Sequence, residues 1–199
     1  MLPRELLLTL YVEKGLSVSA IARRLQCSES KVNYWLKNRG IPKRSIREAI
    51  YKKWNPKGDP FSVRTPTTVE EGVLYGLGIG LYWGEGTKAN KNSIRLGNSN
   101  PALIKRFIDF LETFYCVDRN RLRFGLQIFS DMNADVALEY WARFLKIPKK
   151  QFYPKIIVTP YRGVGNYRQK TKHGVVTLYF NNSKLRDIIC RAIDEESMR

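Results

Sequence analysis

Glu71-Gly-Val-Leu-Tyr-Gly-Leu-Gly-Ile-Gly-Leu-Tyr-Trp-Gly-Glu-Gly86 decides the reading of this chain: Gly72, Gly76, Gly80 and Gly84 recur at every fourth position, and the run ends on the carboxylate of Glu85. On a helix, that spacing stacks the glycines into one bare ridge. Each glycine inside a helix costs about 1 kcal/mol relative to alanine, and Gly78 adds a fifth, so a compensating gain is needed, such as two helix backbones in close contact. If the partner is the same helix of a second copy, a twofold axis brings two Glu85 carboxylates together where both helix C-termini are already electronegative. Paired carboxylates repel unless cations share them, and hard divalent ions with oxygen ligands suit the task. The ridge therefore predicts a homodimer through Gly72, Gly76, Gly80 and Gly84, with a metal site at Gly84 and Glu85.

Other readings compete for the same run. Gly-x-x-x-Gly also marks pairing of membrane helices, but the apolar stretch from Val73 to Trp83 is about half of the ~20 residues a spanning helix needs. A buried strand followed by a phosphate-binding glycine loop is disfavoured because Gly86 leads into Thr87-Lys88 rather than Gly-Lys-Ser/Thr. Thr68-Val-Glu-Glu71 supports the helix, as a capping box that satisfies its first free amides. The bland alternative is a helix packed tightly within one chain, with Glu85 a solvated terminal residue.

The chain has 199 residues, 43% of them hydrophobic, enough for one medium domain and a small one with real cores. Lys and Arg total 35 against 18 acidic residues, a formal +17, which points to a polyanionic partner. Membrane surfaces are anionic too, but the basic residues are dispersed and form no basic amphipathic helix, so nucleic acid is the better match. Cys27, Cys116 and Cys190 lie far apart and His173 is the single histidine, which leaves no set for structural zinc. Each cysteine reads as a reduced core residue of a cytoplasmic protein, and the N-terminus lacks the layout of a secretory signal.

Residues 1–45 carry three short helical patterns. Leu6, Leu7, Leu10 and Tyr11 form the first; Ile21, Ala22 and Leu25 the second, opened by Ser17; Val32, Trp35 and Leu36 the third, capped by Ser28 and ended by Gly40. This arrangement resembles the helix-turn-helix families, with Gln26 in a turn that often holds glycine. The resemblance implies that the outward face of the third helix enters the major groove, making Ser30, Lys31, Asn33, Tyr34 and Lys37 the DNA-contact candidates, with Lys31 and Lys37 equally able to serve phosphates alone. A small bundle with a solvated basic face is the plain alternative. Ile41-Pro-Lys-Arg-Ser45 reads as an extended basic arm offering Lys43 and Arg44 to DNA.

Residues 46–67 are rich in Pro and Gly and read as a basic linker, and residues 68–199 as the larger domain. Past the ridge, Ser93 to Gly97 alternates as a strand, Asn98-Ser-Asn-Pro101 caps a helix with Leu103, Ile104, Phe107, Ile108 and Leu111 inward, and a strand follows. In that strand Leu122, Phe124, Leu126 and Ile128 face inward, while Arg119, Arg121, Arg123 and Gln127 face the other way. A helix over about 134–145 buries Val136, Leu138, Trp141 and Leu145. Strands over about 153–159 and 175–180 flank a loop bearing Arg162, Arg168, Lys170 and Lys172, and a terminal helix begins at Ser183. The expected class is α+β.

Ile79-Gly-Leu-Tyr-Trp-Gly-Glu-Gly86 resembles the LAGLIDADG motif of homing endonucleases: Gly80-Leu81 match its central Gly-Leu, Gly84 its small residue and Glu85-Gly86 its final acid and glycine, while Trp83 stands at its first aspartate. The resemblance implies an αββαββα unit whose saddle-shaped sheet lies in the DNA major groove, here preceded by the tri-helical unit. One copy of the motif implies a homodimer on a partly palindromic double-stranded site. It also implies that Glu85 of each subunit binds Mg²⁺ beside a scissile phosphate, making the protein a metal-dependent DNA endonuclease. Lys155, Gln127 and Lys88 are candidates to support the water network or simply to hold phosphate, and Arg95 joins the DNA-facing set. Two rival readings are a DNA-binding regulator that keeps the fold without cleaving, as WhiA-type regulators resemble with the domains in the opposite order, and an RNA-splicing helper.

Overall fold

In the computed structural model, which describes residues 1–160 and 171–198, the chain divides into two units, Met1–Asp59 and Pro60–Arg199. The first unit is helical. α1 (Arg4–Leu7) runs on as a π-helical turn over Leu8–Glu13, and α2 (Val18–Arg24) and α3 (Glu29–Asn38) follow. Ser17 Oγ accepts from Ala20 N and Ser28 Oγ from Lys31 N, so both serine caps sit where the sequence puts them. Leu7, Leu10, Tyr11, Ile21, Ala22, Val32, Leu36 and Ile41 form the core, whereas Trp35 only packs half-buried against it. The turn between α2 and α3 is held by a left-handed Gln26 (φ 48°), a conformation that costs a non-glycine residue about 1 kcal/mol.

The stretch read as a linker is ordered at both ends. A fourth helix, α4 (Ile46–Trp54), starts from a true capping box between Ser45 and Glu48 and lies within the first unit. Phe61 packs on the core of the second unit, while Ser62 N donates to Tyr115 O at 3.1 Å and Arg64 N to Phe114 O at 2.8 Å. The Pro/Gly composition that suggested a linker thus marks a boundary only a few residues long.

The second unit runs α5 (Val69–Glu85), β1 (Ile94–Asn98), α6 (Pro101–Tyr115), β2 (Arg123–Phe129), α7 (Ala134–Leu145), β3 (Ile157–Thr159), β4 (Val175–Phe180) and α8 (Ser183–Ser197). Its open sheet has the order β1-β4-β2-β3, antiparallel except for the parallel pair β2 and β3, whose joining helix α7 returns the chain to the same end. The chain is therefore mixed α+β. Among the described residues the order contains one helix more than αββαββα, and between α5 and α6 there is one full strand, with Gly86 bridging Leu96 in place of a second.

Alternation decides the layers. Ile94, Leu96, Phe124, Leu126, Ile128, Val176, Leu178 and Phe180 are buried beneath the helices, together with Ile104, Phe107, Phe110, Leu111, Phe114, Trp141, Leu185 and Ile189. Several readings change here. Arg119 and Arg121 belong to a 3₁₀ turn before β2, not to the strand, and the expected strand over 153–159 forms only from Ile157. Val136 is exposed and Leu138 half-buried on α7, and Cys116 is an exposed residue at the left-handed end of α6 (φ 47°) rather than a core thiol. All three cysteines are free.

α5 has two glycine faces with opposite roles. Gly78 is buried, and a Cβ there would meet the Phe110 ring at 2.1 Å; a Cβ at Gly72, Gly76, Gly80 or Gly84 would find nothing within 4 Å. The close approach within the chain is thus made by the off-register glycine, and Tyr82, stacked on Phe107 at 5.9 Å, continues it. At the helix start Thr68 Oγ1 accepts from Glu71 N, but the Glu71 carboxylate reaches past the expected Thr68 to Thr67 N (2.8 Å) and Arg64 Nη2 (2.6 Å).

Two expectations follow. Gly78→Ala should cost about 1–3 kcal/mol in urea unfolding because Phe110 has nowhere to go, whereas Gly72→Ala should cost nothing; equal stabilities would refute the contact. The hydrogen bonds from Arg64 and Thr67 hold the Glu71 carboxyl down at about 2 against an ordinary 4.5. A depressed folded value means stability present in full above pH 4.5 and lost as pH falls toward 2, so Glu71→Gln should show a shallower decline in melting temperature than the parent across that window.

Candidate functional site

The exposed side of α5 is apolar as well as bare. Val69, Val73, Leu77 and Trp83 are 79, 62, 40 and 47% exposed, flanking the glycine ridge, and Glu85 is exposed at its C-terminal end. A helix that buries one face and leaves a second apolar stripe uncovered is the pattern of an element with a further partner.

The end of that helix is held in place. Gly86 N donates to Tyr82 O, and Lys88 Nζ reaches the Tyr82 and Trp83 carbonyls, setting an ammonium on the negative pole of α5. Arg186 from α8 donates to Lys88 O. Thr87 N donates to Arg95 O at 2.9 Å and Gly86 bridges Leu96, so the chain leaving Glu85 is sewn to β1. Lys88, read as a DNA contact, is spent here at least in part as a helix cap.

The sheet face opposite the core is lined by three cross-strand rows, Arg95-Tyr179-Arg123, Gly97-Thr177-Gly125 and Val175-Gln127-Ile157. Arg95 lies 5.3 Å from the Tyr179 ring centroid, and Tyr153 meets Tyr179 edge-on at 5.3 Å. The glycine row gives the tyrosine room: a Cβ at Gly125 would come within 3.2 Å of its ring. Gln127 Nε2 donates to Thr159 Oγ1, and Lys155 is exposed just before β3. Guanidinium groups beside a half-buried Tyr179 and an exposed Tyr153 suit phosphates and bases respectively. Tyr179 and Tyr153 were not among the residues singled out from the sequence, although the alternation of Val175, Thr177 and Tyr179 against Val176, Leu178 and Phe180 carries the signal.

Not every basic candidate joins this face. Arg119 is held bidentately by Glu112 at 2.7 and 2.6 Å, which keeps its proton more firmly bound and uses its fork. Arg123 keeps its place in the first row of the face, its Nη1 donating to Asn120 O and Leu122 O, and Arg121 is exposed on the preceding turn. Lys172 is exposed and lines a hollow with Asp131 and Asn133 at the start of α7. Arg162, Arg168 and Lys170 lie outside the described residues.

In the first unit, Ser30, Lys31, Tyr34 and Lys37 are exposed and Asn33 half-buried along α3. Lys43 is exposed, but Arg44 is not an arm residue. Its guanidinium donates to Tyr11 O, Gly15 O and Leu16 O and stacks 4.1 Å from the Tyr11 ring centroid, and its backbone N donates to Tyr11 Oη. The residue is a strut that satisfies the free carbonyls at the end of the first helix.

No family model, characterised protein or solved structure matches the chain. No helix among the described residues is long and apolar enough to cross a membrane. Among those residues no three His, Cys, Asp or Glu side chains gather into a metal-binding group, and the oxygen donors at the end of α5 are the Glu85 carboxylate and the Gly84 carbonyl. Those oxygen donors suit a hard cation, since Mg²⁺ is commonly held by one or two carboxylates with water and phosphate completing the shell, and a second copy would double them.

Arg44→Lys keeps the charge and loses the fork. It should destabilise the first unit by about 2 kcal/mol in chemical denaturation; an unchanged midpoint would return Arg44 to the list of free DNA contacts.

Proposed function

We propose that this protein is a sequence-specific DNA endonuclease of the homing type, working as a homodimer on a long, partly palindromic double-stranded site. One observation carries the reading: a bare, apolar-flanked glycine ridge ends on an exposed Glu85, and the next residues are hydrogen-bonded to β1 at Arg95, on the basic and aromatic sheet face.

In this reading two α5 helices meet along Gly72, Gly76, Gly80 and Gly84, and the sheets of the two copies extend on either side as a saddle that follows the major groove. Arg95, Arg123 and Gln127 grip the duplex; Tyr179 and Tyr153 add apolar contact beside them. The paired Glu85 carboxylates and Gly84 carbonyls would hold a divalent ion. The chemistry a bound Mg²⁺ supplies is polarisation of phosphoryl oxygens and activation of water. Lys88 and Arg186 keep the end of α5 in one position, so that Glu85 presents its carboxylate at a fixed distance from the DNA backbone. Lys155 and Gln127 orient solvent or hold phosphate at the rim. The first unit adds α3 as a helix-turn-helix reader of an outer part of the site.

A second reading, a regulator of the same build that binds without cutting, is favoured by one detail: the Lys88 ammonium already sits on the carbonyl end of α5, where it competes with a cation. The parent protein, incubated with a duplex library and Mg²⁺, is expected to make site-specific double-strand breaks, and Glu85→Gln to bind equally while cutting at least a hundredfold more slowly. Binding without cleavage by the parent, across divalent ions, would leave the regulator. Light scattering should give dimer mass for the parent and monomer mass for Gly80→Leu; a dimer in both removes the ridge from the interface.

A further inference from the structure

The helix α4, hidden in what the sequence presents as a linker, turns back on the first unit and closes a hollow of about 280 Å³. Its walls include Lys43, Arg44, Lys52 and Lys53, with Ser17 and Asn33 between them. None of the lining residues is acidic. The nearby Glu48 carboxylate is turned to the backbone N and Oγ of Ser45, where it caps α4. Lys52 is drawn in closely: a Cβ on Gly15 would lie 2.8 Å from its Nζ. Arg44 contributes charge but not free N–H groups, since its guanidinium is taken by the carbonyls of Tyr11, Gly15 and Leu16. Three lysines and one committed guanidinium therefore line a concave wall to which no acidic residue contributes, while the Glu48 carboxylate, near enough to attract Arg44, is spent on the Ser45 cap.

Like charges gathered in this way repel, and the repulsion is relieved when an anion enters. Lysines with an amide and a hydroxyl between them offer point-charge and single donors from several sides, a set that suits the several oxygens of a tetrahedral oxyanion. Asn33 supplies the connection to function. It lies on α3 between Lys31 and Tyr34, so an anion bound here touches the same helix that carries the outward candidates.

We propose that this hollow is a phosphate site, filled by one phosphodiester of the DNA backbone, and that it sets the register of α3 on the duplex. The proposal rests on the DNA-binding part of the functional reading and is independent of cleavage. It makes α4 a working part of the DNA-binding unit.

The salt dependence of duplex binding by the full chain tests it. Losing Lys52 and Lys53 leaves that one phosphate unneutralised, so the slope of log affinity against log salt for Lys52→Gln/Lys53→Gln should be shallower by about 0.9, and the affinity lost between about 50 and 200 mM salt should shrink roughly threefold. Lys57→Gln, outside the hollow, should keep the parent slope, and Lys52→Arg/Lys53→Arg should restore it; circular dichroism confirms that each variant is folded. Duplex binding with an unchanged slope in the double glutamine variant overturns the proposal while leaving the DNA reading intact. If the parent binds no duplex at any salt, the functional reading fails separately, and the hollow is then judged by titrating inorganic phosphate against ¹⁵N-labelled lysines. Saturable shifts at Lys52 and Lys53 but not Lys57 would support a free-phosphate site, and no shifts would overturn it.

Discussion

The seating of Phe110 in the space left by Gly78 is the contact on which the second unit depends. It brings α5 and α6 to a separation that no side chain at residue 78 permits, and Tyr82 on Phe107 extends the same seam toward the helix end. With that face fixed, the rotation of α5 is fixed as well. Gly72, Gly76, Gly80 and Gly84 must then turn away from the core, and Glu85 must leave the helix on the exposed side. An apolar, side-chain-poor ridge facing outward follows from packing within the chain, and the proposed dimer is a use of a surface already made.

The sheet obeys a similar economy. Its inner face is filled by large apolar residues from three long strands, and strict alternation sends Arg95, Arg123, Gln127, Thr177 and Tyr179 to the other face. Because β1 and β2 both flank β4, residues distant in sequence form rows, and the glycines on either side of Thr177 leave the middle row low. The short link from Glu85 to β1 connects this face to the helix end. In the proposed nuclease that link relates the position of the carboxylate to the position of the DNA; in the regulator it would position Lys88 instead.

Charge in this molecule divides into two kinds with different physical work. Arg44 and Arg119 are bound to carbonyls or to a carboxylate with good fork geometry, and they hold the fold. Lys31, Lys37, Lys43 and Lys155 are exposed, and Lys52 and Lys53 crowd a hollow whose walls carry no acid. The excess of 35 basic over 18 acidic residues is the ground on which a polyanionic partner is proposed, and only the second kind of residue would be left to meet one.

Local chemistry made much of this legible from the chain alone. Ser17, Ser28 and Thr68 cap helices where they are because a hydroxyl beside free amides has few other uses, and the two-residue period of Leu122 to Ile128 fixes an inner face whatever surrounds it. The four-residue glycine spacing likewise implied a bare ridge that runs down to Glu85, whereas the exposure of that carboxylate was expected only if α5 packed within one chain. What depended on distant partners was not legible. Which glycine meets a neighbour is decided by where Phe110 arrives, and whether Arg44 or Arg119 is free depends on carbonyls and a carboxylate brought in by other segments. Residues 46–54 look like linker by composition, yet they form a helix because Ser45 and Glu48 cap each other. Tyr179 becomes part of a surface only when β4 comes to lie between β1 and β2. Caps and periodicity are short-range and written in neighbouring residues, whereas the occupancy of a polar group is settled by contacts that exist only after the chain has folded.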